Sequence, residues 1–201
     1  MAIEIEVKAW VDTPESLKQR IDAIARFTGV FDKLDTYWYP TLELAAQYLG
    51  FPASGVRVRK ERVGDGRGDI RNSVETTRIT YKAKEVRDSI EVNHEQEFTV
   101  SDGAVFEELL TVLGLIPIKR KHKTGWAWVY DKDALNIEDS ITMELVLLER
   151  LGYFIELEIL ASNDTPDTVS LARERLLALL DLLGIARNRI ESRYYTELLG
   201  Q

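Results

Sequence analysis

Residues 1–10 read MAIEIEVKAW, and within this stretch charged and aliphatic side chains alternate. Alternation with a period of two is typical of a β-strand, because successive side chains of a strand point to opposite faces of the sheet. Glu4, Glu6 and Lys8 would share one face, and the aliphatic residues between them the other. The pattern fits a solvated edge strand, or the wall of a site that holds a metal ion and an anion.

Composition limits the class of protein. The chain has 201 residues, 45% apolar and 30% charged, which suits a single domain spanning 1–201. No apolar run approaches the roughly 20 residues of a membrane span, and no signal-peptide pattern opens the sequence. The absence of cysteine excludes disulfides and thiolate metal sites and is consistent with a cytoplasmic protein. A formal charge of −8 disfavours indiscriminate nucleic-acid binding.

The alternation recurs along the whole chain. It predicts strands at 4–11, 31–39, 55–63, 75–84, 89–100, 118–130, 140–148 and 153–160. Helical spacing and capping residues predict helices at 13–29, 102–114, 166–183 and 189–199, with a further short helix at 41–50 and a turn at 131–139. Both halves run from strand to helix to several strands.

Runs of like charge on one strand face are the unusual feature. One such pair alone is typical of a solvated sheet face. Six pairs in one domain are harder to explain in that way. The acidic pairs are Glu4/Glu6, Glu95/Glu97 and Glu156/Glu158, and the basic pairs are Arg57/Arg59, Lys82/Lys84 and Lys119/Lys121.

The spacing of these pairs has a chemical meaning. Residues i and i+2 of a strand lie about 7 Å apart on the same face. Two carboxylates at that distance can converge on a divalent cation, and oxygen-only ligation suits Mg²⁺ or Mn²⁺. Two arginines can hold adjacent phosphates. If the sheet closes into a barrel, a lumen with both signs of charge must hold compensating ligands, and a polyphosphate with a divalent cation satisfies both.

Seven segments together resemble the CYTH superfamily, the triphosphate tunnel metalloenzymes, and are nearest to its class IV adenylyl cyclase-like branch. In chain order the segments are EIEVK, VRVRK, ITYKAK, HEQEFTV, IKRK, LGYFIELEI and YYTELL. The first matches the hallmark Glu-x-Glu-x-Lys of that superfamily. The resemblance covers nearly the whole chain, and seven motifs in the right order are far more specific than one.

The resemblance implies a fold and a set of roles. The fold is α+β: an eight-stranded antiparallel β-barrel that forms a triphosphate tunnel, with helices packed outside. The residues expected to bind the triphosphate are Lys8, Arg57, Arg59, Lys82, Lys119 and Lys121. Those expected to hold Mg²⁺ or Mn²⁺ are Glu4, Glu6, Glu156, Glu158 and Glu144. Those expected to act in catalysis, including readying the nucleophile, are Glu95, Glu97 and Lys82.

Three positions depart from the family pattern. Asn93 stands where an arginine is usual, so one basic contact is missing or moved to Lys84 or Arg78. Glu144 is the nearest equivalent of an aspartate that the family carries before its Leu-Gly-x-Phe element, at a longer spacing. Lys121 stands where arginine is common.

The nucleophile would decide the reaction. Water attacking the terminal phosphate gives a triphosphatase, and the ribose 3′-hydroxyl of ATP attacking the α-phosphate gives cyclic AMP and pyrophosphate. We favour hydrolysis of tripolyphosphate, ATP or thiamine triphosphate. Adenylyl cyclisation is the first alternative, and a non-catalytic polyphosphate- or nucleotide-binding module is the second. Neither nucleic acid nor membrane is an expected partner, and the exposed helix edges are compatible with a homodimer.

Overall fold

The structure is a computed structural model that describes residues 2–41, 55–64, 69–87, 90–131 and 140–200. For residues 2, 82–87, 94 and 95 it describes the backbone but not the side chain. The helix predicted at 41–50 and the turn predicted at 131–139 therefore lie outside the described residues, apart from their first positions. No described helix is long and apolar enough to cross a membrane.

Antiparallel strands dominate the described structure. The eight strands are β1 (Ala2–Val11), β2 (Arg26–Tyr39), β3 (Val56–Val63), β4 (Thr76–Arg87), β5 (Ile90–Val100), β6 (Ile116–Tyr130), β7 (Ile141–Leu148) and β8 (Gly152–Ala161). Their order is β1-β5-β4-β3-β2-β6-β7-β8, and β8 pairs with β1, which closes the ring. The predicted α+β class with a curled, mostly antiparallel sheet is confirmed.

β1 closes the ring by pairing with two strands. Among the described residues it pairs with β8 from Ile3 to Val11 and with β5 from Ala2 to Glu6.

Four α-helices and one 3₁₀ turn complete the described chain. They are α1 (Pro14–Asp22), α2 (Gly103–Val112), α3 (Pro166–Leu182), the 3₁₀ turn Arg187–Arg189 and α4 (Tyr195–Leu198). Proline occupies the first turn of α1 and α3, where its missing N–H costs nothing. Asp102 caps α2 by accepting hydrogen bonds from the backbone N–H groups of Ala104 and Val105.

The main hydrophobic core lies between the outer face of the barrel and the helices. Ile5 and Val7 of β1 are buried there against Leu17 of α1 and against Leu176 and Leu180 of α3. Each such side chain contributes roughly 1.5–3 kcal/mol through burial. This burial fixes the register of β1, because a slip of one residue would bring its charged residues into the core. The charged residues of β1 consequently point inward.

The first predicted helix is too long. It ends at Asp22, not near Gly29, and Phe27 instead lies in β2 opposite Trp128. Gly29 follows a register shift in the β2–β6 ladder and has a φ of 155°, a conformation that glycine adopts at little cost. The last apolar residues of the predicted helix belong to β2, because their backbone pairs with β6.

The helix predicted at 189–199 is also wrong in extent, since within that range only Tyr195–Leu198 is α-helical. The preceding residues are tied to β1: Ile190 forms an isolated bridge with Ala9, and the Glu191 N–H donates to the Lys8 carbonyl. These backbone bonds lie in the C-terminal half of β1. They hold the C-terminal segment against the barrel.

Candidate functional site

Charged side chains occupy the inward face of all eight strands. The registers place on that face the basic residues Lys8, Lys33, Arg57, Arg59, Arg78, Lys119, Lys121 and Lys123. They place on the same face the acidic residues Glu4, Glu6, Asp35, Glu61, Glu91, Glu97, Glu144, Glu156 and Glu158. The two signs nearly balance among the described side chains.

Asp35 is the centre of one buried cluster. Its side chain is fully buried and accepts two hydrogen bonds from Arg59, at 2.6 Å from Nε and 3.0 Å from Nη2. Lys121 Nζ lies 3.1 Å from the second carboxylate oxygen. Burial opposes ionisation of Asp35, but the positive charges of Arg59 and Lys121 outweigh it and hold its pKa well below the usual value. Two predicted phosphate-binding residues thus share one carboxylate.

Lys123 and Glu156 form a second buried pair. Lys123 Nζ donates to both carboxylate oxygens of Glu156, at 2.6 and 2.8 Å. Burial disfavours the charge on Glu156, yet the Lys123 ammonium prevails and lowers the pKa of Glu156 to about 2. Burial likewise lowers the pKa of Lys123, but Glu156, Glu6 and Glu144 raise it above its usual value. Both groups are therefore charged at neutral pH.

Two further lysines pair across the interior. Lys8 is hydrogen-bonded to Glu91, and both side chains are less than a tenth exposed. Lys33 Nζ lies 2.5 Å from Glu144, which faces Glu156 in the β7–β8 ladder. Glu144 therefore lies on the same inward surface as the predicted metal-binding carboxylates, despite its longer spacing in the sequence.

A third group of charges lies nearer solvent. Arg57 donates to Thr80 at 2.8 Å and to Glu97 at 3.0 Å. Arg78 donates to Glu61 at 2.8 Å and to Glu97 at 3.1 Å, with its own side chain 37% exposed. Glu97 is thus held by two arginines. This arrangement marks a more open part of the inward face than the Asp35 cluster.

The C-terminal segment covers one end of this surface. Tyr195 and Leu198 of α4 pack with Phe154 and Trp10, which lie at the ends of β8 and β1. The Lys119 ammonium donates to the Thr196 carbonyl. The ring centroid of Tyr195 lies within 5.5 Å of three ammonium groups, those of Lys8, Lys121 and Lys123. The charged interior and the C-terminal helix are therefore in direct contact.

The inward carboxylates have the donor chemistry for a hard divalent cation. Glu6 faces Glu158 and Glu144 faces Glu156 on neighbouring strands, and all their donors are oxygens. However, no three acidic or histidine side chains within the described residues converge as a ready metal site. Glu156 is bound to Lys123 and Glu144 to Lys33. A metal ion bound by Glu156 or Glu144 would have to compete with that lysine.

Some predicted site residues lie outside the described side chains. The backbone register places Lys82 opposite Glu95 and Lys84 opposite Asn93, but the side chains of Lys82, Lys84 and Glu95 are not described. Asn93 itself points inward and is fully buried, and neither atom of its amide group has a hydrogen-bond partner among the described residues. Buried polar groups are nearly always partnered, so this amide is a natural contact for a bound ligand.

Several inward residues were not singled out from the sequence. They are Asp35, Lys33, Glu61, Glu91 and Lys123. Lys123 and Glu91 extend like-charge runs that the sequence displays. Asp35 and Lys33 share the face of one predicted strand but have opposite signs, so a search for like-charge pairs passes over them. The signal that could have found them is the alternation of Phe31, Lys33, Asp35 and Tyr37 along β2, in which charges of opposite sign lie between aromatic residues.

A separate depression of about 270 Å³ lies on the outer face of the barrel. His122 in its lining is 2.9 Å from Asp32, and Leu34 and Lys60 also line it. These residues alternate with the inward ones along β2, β3 and β6. The depression is therefore distinct from the charged interior and contains none of the predicted site residues.

The Glu156–Lys123 pair predicts a pH dependence of stability. Because the pKa of Glu156 falls from 4.5 to about 2 on folding, the unfolded chain binds more protons between these values. In metal-free buffer, the free energy of unfolding should fall as the pH drops from 4.5 towards 2. Glu156→Gln should flatten this part of the dependence, measured by urea unfolding at a series of pH values. The exposed Glu108→Gln on α2 is the control, and equal slopes for wild type and Glu156→Gln would contradict the assignment.

Comparisons with known proteins identify the fold. No protein-family model and no curated protein sequence matches the chain. Among solved structures, PH1819 from Pyrococcus horikoshii has a TM-score of 0.76 at 24% identity, covering 98% of this chain and 97% of that one. A candidate adenylate cyclase from Vibrio parahaemolyticus has a TM-score of 0.69 at 17% identity, covering 99% and 98%.

A third solved structure connects the fold with an activity in its own protein. HpAC1 from Hippeastrum, a candidate adenylyl cyclase described with a dominant triphosphatase activity, has a TM-score of 0.61 at 15% identity. The match covers 100% of this chain and 97% of that one. At these identities the likenesses show a shared fold over the full length. The fold that the sequence resemblance implied is therefore shared with a candidate adenylate cyclase and with HpAC1.

Proposed function

We propose that the chain is a divalent-metal-dependent enzyme of the CYTH superfamily that binds a triphosphate inside its barrel and hydrolyses it. One observation carries the proposal. The basic residues that match the family motifs, on β1, β3 and β6, all have their side chains on the inward face. They are Lys8, Arg57, Arg59, Lys119 and Lys121.

The pairing of the interior supports a ligand that carries both signs of charge. Lys123 is bound to Glu156 and Lys33 to Glu144, two of the carboxylates that would hold the metal. A triphosphate with a divalent cation can exchange partners with these groups, because phosphates take the cations while the metal takes the carboxylates. Such an exchange avoids leaving a buried charge uncompensated.

The roles of the remaining residues follow the family motifs. Glu4, Glu6, Glu156, Glu158 and Glu144 would hold Mg²⁺ or Mn²⁺, which neutralises phosphate charge when bound. Lys82 would add a contact to the triphosphate, and Glu95 or Glu97 would orient the nucleophile. The Asn93 amide, which has no partner among the described side chains, would hydrogen-bond to the substrate at the position where the family has an arginine.

Hydrolysis makes fewer geometric demands than cyclisation. Phosphoryl transfer to water needs positioning and charge stabilisation, which the inward basic residues supply. Cyclisation also requires the ribose hydroxyl to be held in line with the α-phosphate. The triphosphatase activity described for HpAC1 favours hydrolysis, while the Vibrio protein named as a candidate adenylate cyclase keeps cyclisation as the second candidate.

A panel of triphosphates tests the reaction. Tripolyphosphate, ATP and thiamine triphosphate would each be incubated with the protein and Mg²⁺ or Mn²⁺, and phosphate, pyrophosphate and cyclic AMP would be measured together. We expect phosphate release that depends on metal. Cyclic AMP with pyrophosphate would instead identify a cyclase. No product from any triphosphate would leave a binding module as the remaining function.

Thermal unfolding tests binding independently of turnover. Tripolyphosphate with Mg²⁺ should raise the melting temperature, since a ligand that binds only the folded state stabilises it. Because partner exchange frees lysines when carboxylates bind metal, the shift with both should exceed the sum of the separate shifts. Glu6→Gln should reduce this excess. An absent shift with every triphosphate at millimolar concentration would contradict a triphosphate site in the barrel.

A further inference from the structure

Asp35 holds two cations, as Glu97 does, but it does so in the buried part of the interior. Both of its oxygens are engaged by Arg59, and Lys121 adds a third contact at 3.1 Å. Its side chain is fully buried, whereas that of Glu97 is 27% exposed. None of the seven family-like motifs includes it. The contacts of Asp35 with Arg59 and Lys121 are therefore what indicate its function.

The geometry argues against two obvious roles for Asp35. A general base needs a lone pair directed at the nucleophile, but the Asp35 oxygens already accept from three donors. Adjacent positive charges also make it a weak base. A metal ligand would have to abandon two cations at once. A role through Arg59 and Lys121 remains.

The pattern of donors on Arg59 indicates what that role is. A guanidinium has five N–H donors, and Asp35 takes the one on Nε and one on Nη2. Within the part of the chain whose side chains the structure describes, the two donors of Nη1 and the second donor of Nη2 have no acceptor. These form the end of the fork, an arrangement that matches two oxygens of one phosphate.

We infer that Asp35 is a positioning residue for the triphosphate reaction. Asp35 binds the Nε and Nη2 side of the Arg59 guanidinium, so that the Nη1 and Nη2 end faces the phosphate. It also holds Lys121 beside the same phosphate. It also allows the two cations to lie close together before substrate arrives, since one carboxylate compensates them. The inference rests on the proposed function and deepens it.

The positioning role predicts a separation of kinetic constants. Asp35→Asn preserves the size of the side chain and removes its charge. Arg59 then loses its charged anchor, so kcat for the best substrate of the panel should fall by about 10- to 100-fold, the scale of a misplaced binding group. KM should not rise, because the net positive charge that attracts the triphosphate increases. Urea unfolding would give the folded fraction to which kcat is normalised.

A double-variant comparison tests whether Asp35 acts through Arg59. In an Arg59→Lys background, which lacks the fork, Asp35→Asn should lower kcat/KM further by less than about threefold, because coupled residues are not additive. An equal loss in both backgrounds would overturn the inference.

If Asp35→Asn does not fold, the single variant Lys121→Met is compared with the double variant Asp35→Asn/Lys121→Met. The double variant has the same net charge in the cluster as the wild type, because it loses one negative and one positive charge. The double variant should still have the lower kcat, and equal kcat values would overturn the inference.

A matched control lies on the outer surface. Asp181 accepts from Arg187 with the same two-point geometry, at 2.8 Å from Nε and 2.5 Å from Nη2, far from the barrel interior. Asp181→Asn should leave kcat and KM unchanged. If the kcat and KM of Asp35→Asn, corrected for the folded fraction, equal those of Asp181→Asn, Asp35 has only a structural role. Wild-type protein that neither binds nor converts any triphosphate would instead reject the proposed function itself.

Discussion

Replacing Arg59 with lysine should lower kcat/KM for a triphosphate by about ten- to a hundredfold, although the charge is kept. Lysine is a point charge without a planar fork, so it cannot hold Asp35 by two bonds and a phosphate by two more. Losing one charge-assisted hydrogen bond costs about 1.5–3 kcal/mol, which corresponds to that range of rates. Steady-state kinetics on the best substrate of the panel measures the effect.

Arg187→Lys is the control for Arg59→Lys. Arg187 makes the same bidentate contact with an aspartate, but on the surface, and its side chain is 49% exposed. Its replacement removes an equivalent pair without touching the interior, so the kinetics should not change. An Arg59→Lys enzyme with wild-type kcat/KM would place the phosphate site elsewhere along the barrel.

The sequence predicted the strands best where the outer face is buried against helices. In β1, Ile5 and Val7 pack against helices while Glu4 and Glu6 point inward, and this difference in burial appears directly as alternation. The same logic located Arg57 and Arg59 on one face of β3. Local sequence patterns are enough to predict which face of the sheet a residue occupies, because that depends only on its position in its own strand.

Pairing between distant segments was harder to predict. Asp35 meets Arg59 and Lys121 only because β2 lies between β3 and β6, and that neighbourhood is a property of strand order. Likewise, the end of α1 and the short length of α4 depend on ladders and bridges to other strands. The sequence displays the charges, but it does not display which charge compensates which.

Compensation within the interior leads to the second large expected effect. Glu156→Gln leaves the buried Lys123 without its two-point partner. Breaking a buried ion pair from one side typically costs 3–5 kcal/mol. We expect a loss of about 3 kcal/mol in the free energy of unfolding, at the lower end of that range, because Glu6 and Glu144 also act on Lys123. Urea unfolding at neutral pH in metal-free buffer measures it.

The double variant Lys123→Met/Glu156→Gln separates stability from function. With neither charge buried alone, most of the lost stability should return, since a hydrophobic replacement of a buried pair is often neutral. Activity should stay low, because the interior then lacks both a carboxylate proposed for the metal and a cation beside Tyr195. Destabilisation equal to the sum of the single variants would show that the pair is not coupled. Recovery of activity together with stability would show that Lys123 and Glu156 only hold the barrel together, and that the metal and the triphosphate bind to other inward residues.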